Sequence, residues 1–421
     1  MGASALATVA RPVRAAGRAP FTQAQISDDL HRYVGFGIKA SGGPGDSACG
    51  DWLAGQLAAN GLKVERPTFA APFFEPSIAS LETGASRAPL IPQAVVVQTP
   101  PAGVTGPLAI RAAWTDPQAR CDGAVAIVVL PHRRWSTATA NEIRRPVQAA
   151  FGAGAIGVVI VTQGPTGEAL ALNAPGEALF GGPVAVLAPK DAAPFLAAAQ
   201  RGEPGRLVLT GRQGARPAYN LVGRLDRGAG RTLVVSTPRS GWFTCAGERG
   251  GGVAAWLALL RWAPKALPRQ DLVFLATSGH EYENLGAGGF LEQGAPPPAS
   301  TALWLHLGAN VAARDWSELG TLAPLPGADS QRTLMVTPDL EPIAAVAFRG
   351  QPGLERPLVA NKGAAAGELT GILARGYPRV AGVFGAHRFH HAAADDGRCL
   401  ADDATLAAAI GFRDLVARAL A

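Results

Sequence analysis

Five of the seven histidines in this chain fall between His280 and His391, and each stands at or just beyond the end of a short apolar run. Imidazoles with acids among them can hold a metal or move protons near neutral pH. The densest case is DLVFLATSGHEYENLGAGG, residues 271 to 289, where an apolar run stops at Ser-Gly and delivers His280, Glu281 and Glu283 ahead of a glycine-rich turn. Such a run reads as a buried strand, and in sheets covered on both faces ligands collect beyond the carboxyl ends of the strands. His280 and Glu281 would open a His-Glu-x-x-His zinc helix, but position 284 is Asn. Glu283 reads as solvent-facing.

Further candidates lie along the chain. Glu248 and Arg249 stand in CAGERGGG, whose glycines lack dinucleotide-fingerprint spacing and equally suit close helix packing. His306 ends the run TALWLHLG and also suits a satisfied core histidine. His390 and His391 are adjacent, so their rings should point to different faces, with Asp395 four residues beyond the second. Cys245 has no recognisable partner arrangement for a thiol nucleophile.

These groups need a scaffold. From Tyr219 onward strands and helices alternate, which predicts an α/β fold with a mostly parallel sheet flanked by helices. The strand candidates are 232–237, 271–278, 301–308 and 378–385, and helical spacing marks 251–262 and 402–420. Ahead of them, 23–34 and 46–60 have helical periodicity, with Gly61 as a C-terminal cap. Between about 93 and 217 the pattern changes to short β-rich pieces separated by Gly and Pro, with one helical stretch near 140–151. The expected organisation is a tail at 1–20, an α/β domain from 21–92 and 218–421, and an insert at 93–217.

Composition narrows the function. Of 421 residues, 48 % are hydrophobic and only 17 % charged, with 52 Gly and 34 Pro, which fits a compact α/β protein rich in turns. The net charge of +6 is spread out, with no basic block and no interleaved aromatics, so no nucleic-acid partner is expected. No apolar stretch is long enough for a membrane span or export signal, which favours a cytoplasmic location, though a chain trimmed of its leader would read the same. The four cysteines form no C-x-x-C pair.

The order of elements resembles the zinc-dependent exopeptidases that include bacterial aminopeptidases, glutamate carboxypeptidase, carboxypeptidase Q-like dipeptidases and glutaminyl cyclases. GLKVERPTF resembles that family's N-terminal segment, 93–217 its protease-associated domain, and AYNLVGRLDR the lead into its catalytic sheet. SGHEYENLGAGGF resembles its Glu-Glu motif, and FHHAAADDG its final His and following acid. The resemblance implies two zinc ions on five side chains. Its His-x-Asp falls here on Pro238, Arg239 and Ser240, and its bridging Asp on Glu248, with Arg249 in place of Asn. Its general base falls on His280, its paired ligand on Glu281, its later Asp on His306 and its last His on His391.

The resemblance therefore implies at most one ion, held by Glu248, Glu281 and His391 with His306 as a fourth ligand, and His280 as the base for a bound water. That would be a one-zinc hydrolase of amide bonds in small peptides or acylated amino acids. The alternative is a catalytically silent relative in which Arg239 and Arg249 bind an anionic, carboxylate-bearing ligand or a partner in the former cleft.

Overall fold

The structure is a computed structural model that describes residues 21–112, 120–360 and 365–421; the tail expected at 1–20 lies outside them. Its centre is a mixed sheet of eight strands. Four are parallel, in the spatial order Asp271–Thr277, Thr232–Pro238, Thr301–Leu307 and Val380–Gly385. Antiparallel strands extend both sides: Leu221–Leu225 and Lys63–Glu65 beyond Asp271–Thr277, and Arg332–Val336 beyond Val380–Gly385, followed by the short Leu358–Val359.

The central strands have apolar centres because both faces are covered. Leu233, Val235, Leu272, Phe274, Leu303 and Leu305 point into one core, shared with the helices Gln23–Gly35, Gly251–Ala266 and Asp402–Ala419. Val234, Val273, Leu275 and Trp304 alternate with them and face a second core against Phe290, Leu369 and Ile372 of the helices Leu285–Gln293 and Glu368–Ala374. Successive side chains of a strand point to opposite faces, so a run without polar interruption serves two helical layers.

The insert is a closed barrel of seven strands. It begins at Thr68, ahead of the pattern change near residue 93: the strand Thr68–Thr83 pairs along its length with Pro204–Tyr219. These two long strands lead straight out of and back into the main sheet, and their composition gives no break at the crossing. Arg134 of the barrel locks the two bodies together by donating to both oxygens of buried Asp329, at 2.9 and 2.8 Å, and to the carbonyl of Ala386. The barrel segment around Leu170 also bonds to the sheet domain: Ala171 N–H donates to His391 O, and Ala174 N–H to Glu281 O. Among the described residues no helix is long and apolar enough to cross a membrane.

Candidate functional site

The sequence candidates lie at the carboxyl ends of the parallel strands or in the loops past them, but they divide into separate groups. Arg239 follows the strand Thr232–Pro238 and is fully buried. Its Nε lies 2.9 Å from Asp46, and its two terminal nitrogens donate to the carbonyls of Ala276 and Tyr219 at 2.8 Å. The guanidinium rests on the Tyr219 ring, 4.7 Å from its centroid. Every side of Arg239 is thus taken up by the protein, so it is an internal ion and not an anion-binding group of the cleft.

Glu281 is equally occupied. One carboxylate oxygen accepts from Ser41 N–H at 2.9 Å, and the other from the hydroxyls of Ser41 and Ser240 at 2.7 Å. Gly279 N–H donates to the same two serine oxygens. Ser240 stands where the resemblance places an Asp, and its hydroxyl turns Glu281 into a staple across three loops.

Glu248 lies in a single wide turn, Ala246–Gly250, ahead of the helix Gly251–Ala266. Asp395 fixes that turn by accepting from the N–H groups of Gly247 and Glu248, and His387 is 3.2 Å from the same carboxylate. One oxygen of Glu248 lies 2.6 Å from a terminal nitrogen of Arg249 and 3.2 Å from His391 Nε2. Burial would raise this carboxyl, but Arg249 and then His391 hold it well below the usual carboxylate range. His391 stacks on His390 at 4.0 Å between centroids and 17° between planes, and His390 reaches Ser136 of the barrel at 3.2 Å. Burial and the neighbouring His391 keep His390 below its ordinary pKa.

His280 and His306 belong to a third group around Glu368. The turn carrying His280 runs through Glu283 and Asn284, both with positive φ, and closes so tightly that a Cβ on Gly286 would meet Ser278 O at 2.2 Å. His280 Nδ1 lies 3.6 Å from Glu368, whose oxygen also accepts from the Thr277 hydroxyl at 2.7 Å. Burial raises the Glu368 carboxyl, yet His280 and His306 beside it hold it below the ordinary value, so it stays ionised. His306 Nδ1 is 2.9 Å from Ser236 Oγ, which already accepts from Trp304 Nε1 at 2.8 Å. The Ser236 hydroxyl, while accepting from Trp304, can give its own hydrogen to Nδ1, an arrangement that puts the ring proton of His306 on Nε2, beside Gly308.

A cavity of about 460 Å³ opens at this third group. His280, Glu283, His306 and Glu368 line it from the sheet domain, and Ser136, Thr137 and Asn173 from the barrel. Among the described residues its lining holds two carboxylates and three imidazoles but no Lys or Arg. Sequence reading missed Glu368, which lies in an unremarkable GELTGILARG stretch, and the barrel residues, whose approach depends on the docking of the two bodies. Cys245 is buried, and burial with Glu248 beside it raises its thiol, which excludes a ready thiolate.

The metal question follows from these positions. Pro238 offers no ligand, Ser240 and Glu281 are bonded to each other, and His306 lies apart, so two zinc ions do not fit. Glu248, His390 and His391 do form a cluster with metal-site donor types, their ligand atoms within 4.8 Å of one another. Arg249 already occupies Glu248, however, and an imidazole lone pair lies in its ring plane. Two stacked, nearly parallel rings cannot both aim at one ion. A single ion therefore fits only if Arg249 withdraws. The second cluster, His387, Asp395 and Cys399, is committed to fixing the Glu248 turn.

No protein-family model and no curated protein sequence matches the chain. Solved structures do. A zinc aminopeptidase from Bacillus subtilis superposes with a TM-score of 0.71 at 15 % identity, over 96 % of this chain and 95 % of its own. A peptidase M28 precursor from Shewanella amazonensis SB2B gives 0.70 at 18 %, over 95 % and 92 %. The chain has the zinc-aminopeptidase fold. An aminopeptidase from Aneurinibacillus sp. strain AM-1 agrees, at a TM-score of 0.65 and 15 % identity over 95 % and 94 %. On this aminopeptidase fold the loops past the parallel strands carry the groups described above, with a charged arginine beside Glu248.

His306 gives the site a pH signature. Burial pulls its pKa down to about 4, against an ordinary value of 6.5. Between those values the unfolded chain binds a proton that the folded chain refuses, so stability falls as pH drops through this window and levels off below it. The expected loss is about 3 kcal/mol, measured by urea unfolding between pH 7 and pH 4. His306→Gln should flatten that slope; identical profiles for the two proteins would contradict the assignment.

Proposed function

We propose that this protein binds a small ligand bearing a protonated amine, such as an amino-acid amide or a short peptide, in the cavity between the barrel and the strand ends. The observation that carries this reading is the charge of the lining: Glu368 and Glu283 are acidic, the imidazoles of His306 and His390 are held neutral, and among the described residues no Lys or Arg faces the cavity. A cleft lined by one sign of charge attracts the opposite one. Glu368 would accept from the ammonium group, and the Nε2–H of His306 would donate to a carbonyl oxygen of the same ligand. The carboxylate-binding role expected of Arg239 and Arg249 finds no support, since neither lines this cavity.

Calorimetric titration with a dipeptide amide and its N-acetylated form tests the reading. The free amine should bind at least roughly tenfold more tightly, a difference of about 1.4 kcal/mol. Glu368→Gln should abolish the preference. Equal binding of both forms by the native protein would exclude amine recognition.

A second reading, amide hydrolysis, is favoured by one observation: His280 and Glu368 face the cavity as an imidazole and carboxylate pair. There His280 would take a proton from water, Glu368 would stabilise the imidazolium, and His306 would polarise the amide carbonyl. Release of amine from peptide amides that disappears in His280→Gln would support it.

A further inference from the structure

The cation beside Glu248 is part of the chain. Arg249 is buried with Glu248, its Nε donates to Ser240 O at 3.2 Å, and one terminal nitrogen lies 2.6 Å from the Glu248 carboxylate. Both terminal nitrogens otherwise lack a hydrogen-bond partner, as do the second oxygen of Glu248 and Nδ1 of His391. Buried groups of this kind ordinarily find partners. Their shortage here marks a centre with more ligating capacity than the protein itself uses, around one fixed positive charge.

We infer that Arg249 is the resident counter-ion of Glu248 and that it and a metal ion are mutually exclusive there. A guanidinium and a divalent cation cannot both sit on one buried carboxylate without strong repulsion in a low-dielectric interior. The neighbouring His391 could ligate only in its neutral form, and it already lies 3.2 Å from the shared oxygen of Glu248. Removing the guanidinium would leave Glu248 and His391 facing a vacated space with an uncompensated carboxylate. That arrangement attracts a cation. This inference concerns the Glu248 centre alone and stands whether or not the neighbouring cavity binds an amine.

The test uses the full chain, with melting temperature and bound zinc as readouts. The native protein should melt at the same temperature in chelator and in zinc, and should retain no zinc after dialysis. Arg249→Ala should melt lower in chelator, gain roughly 5 °C on addition of zinc, and retain the ion after dialysis. Glu248→Gln combined with Arg249→Ala should lose that response. If Arg249→Ala folds only when purified in zinc, Arg249→Lys, which keeps a cation, should fold without it and ignore the metal. Stoichiometric zinc in the native protein, or indifference of a folded Arg249→Ala to zinc, would overturn the inference.

Discussion

Arg239→Met is expected to destabilise the protein by about 3–5 kcal/mol, because it strands the Asp46 carboxylate inside the fold. Both partners are buried, and one Asp46 oxygen faces Arg239 at 2.9 Å while the other accepts from Gly42 N–H and the Ser278 hydroxyl. The methionine would fill much of the space, so the loss reports charge and hydrogen bonding more than a cavity. Adding Asp46→Asn should recover part of the loss, since the amide oxygen can still accept while the unpaired charge is gone. Denaturant midpoints at an unchanged slope would measure both steps. A loss below about 1 kcal/mol for Arg239→Met would mean that solvent reaches this ion pair, as it does for surface pairs.

Glu281→Ala should cost about 3 kcal/mol, because three donors lose their common acceptor: Ser41 N–H and the hydroxyls of Ser41 and Ser240. The size of this effect separates two roles. A carboxylate kept as a ligand for an absent ion would be repelled by Glu248, and its removal in chelator would cost little or even stabilise. A staple joining three loops must cost stability whether or not metal is present. Glu281→Gln should fall between native and alanine, since one oxygen still accepts and the serine hydroxyls can rotate toward the new amide. Unfolding curves in chelator for the three proteins would decide the matter, with a stabilised Glu281→Ala contradicting the staple.

The main sheet was legible in the sequence because its signals are local. The runs at 232–237, 271–278 and 301–308 have apolar centres, and they coincide closely with strands buried on both faces. The helices at 251–266 and 402–419 carried the matching periodicity. Arg332–Val336 was missed because its antiparallel placement depends on a distant partner, Val380–Gly385, and its three apolar residues carry no turn signal of their own. The start of the barrel was missed for a related reason: one continuous strand, Thr68–Thr83, serves the barrel immediately after the sheet strand Lys63–Glu65.

At the site, residue types were readable and pairings were not. That histidines and acids gather at strand ends follows from the sequence. Whether Glu281 faces an ion or two serines depends on Ser41, 240 residues away. The arginines look like cleft cations in sequence, yet Asp46 and Glu248 neutralise both within the protein interior. Glu368, the carboxylate that gives the cavity its charge, has no local feature to distinguish it from a helix-opening acid.

The most direct measurement is calorimetric binding of an unblocked dipeptide amide to chelator-treated protein, native and Glu368→Gln. The expected result is binding by the native protein that is unchanged by chelation and weakened at least roughly tenfold in the variant. Binding that appears only after zinc is restored, or that survives Glu368→Gln undiminished, would contradict a metal-free amine pocket.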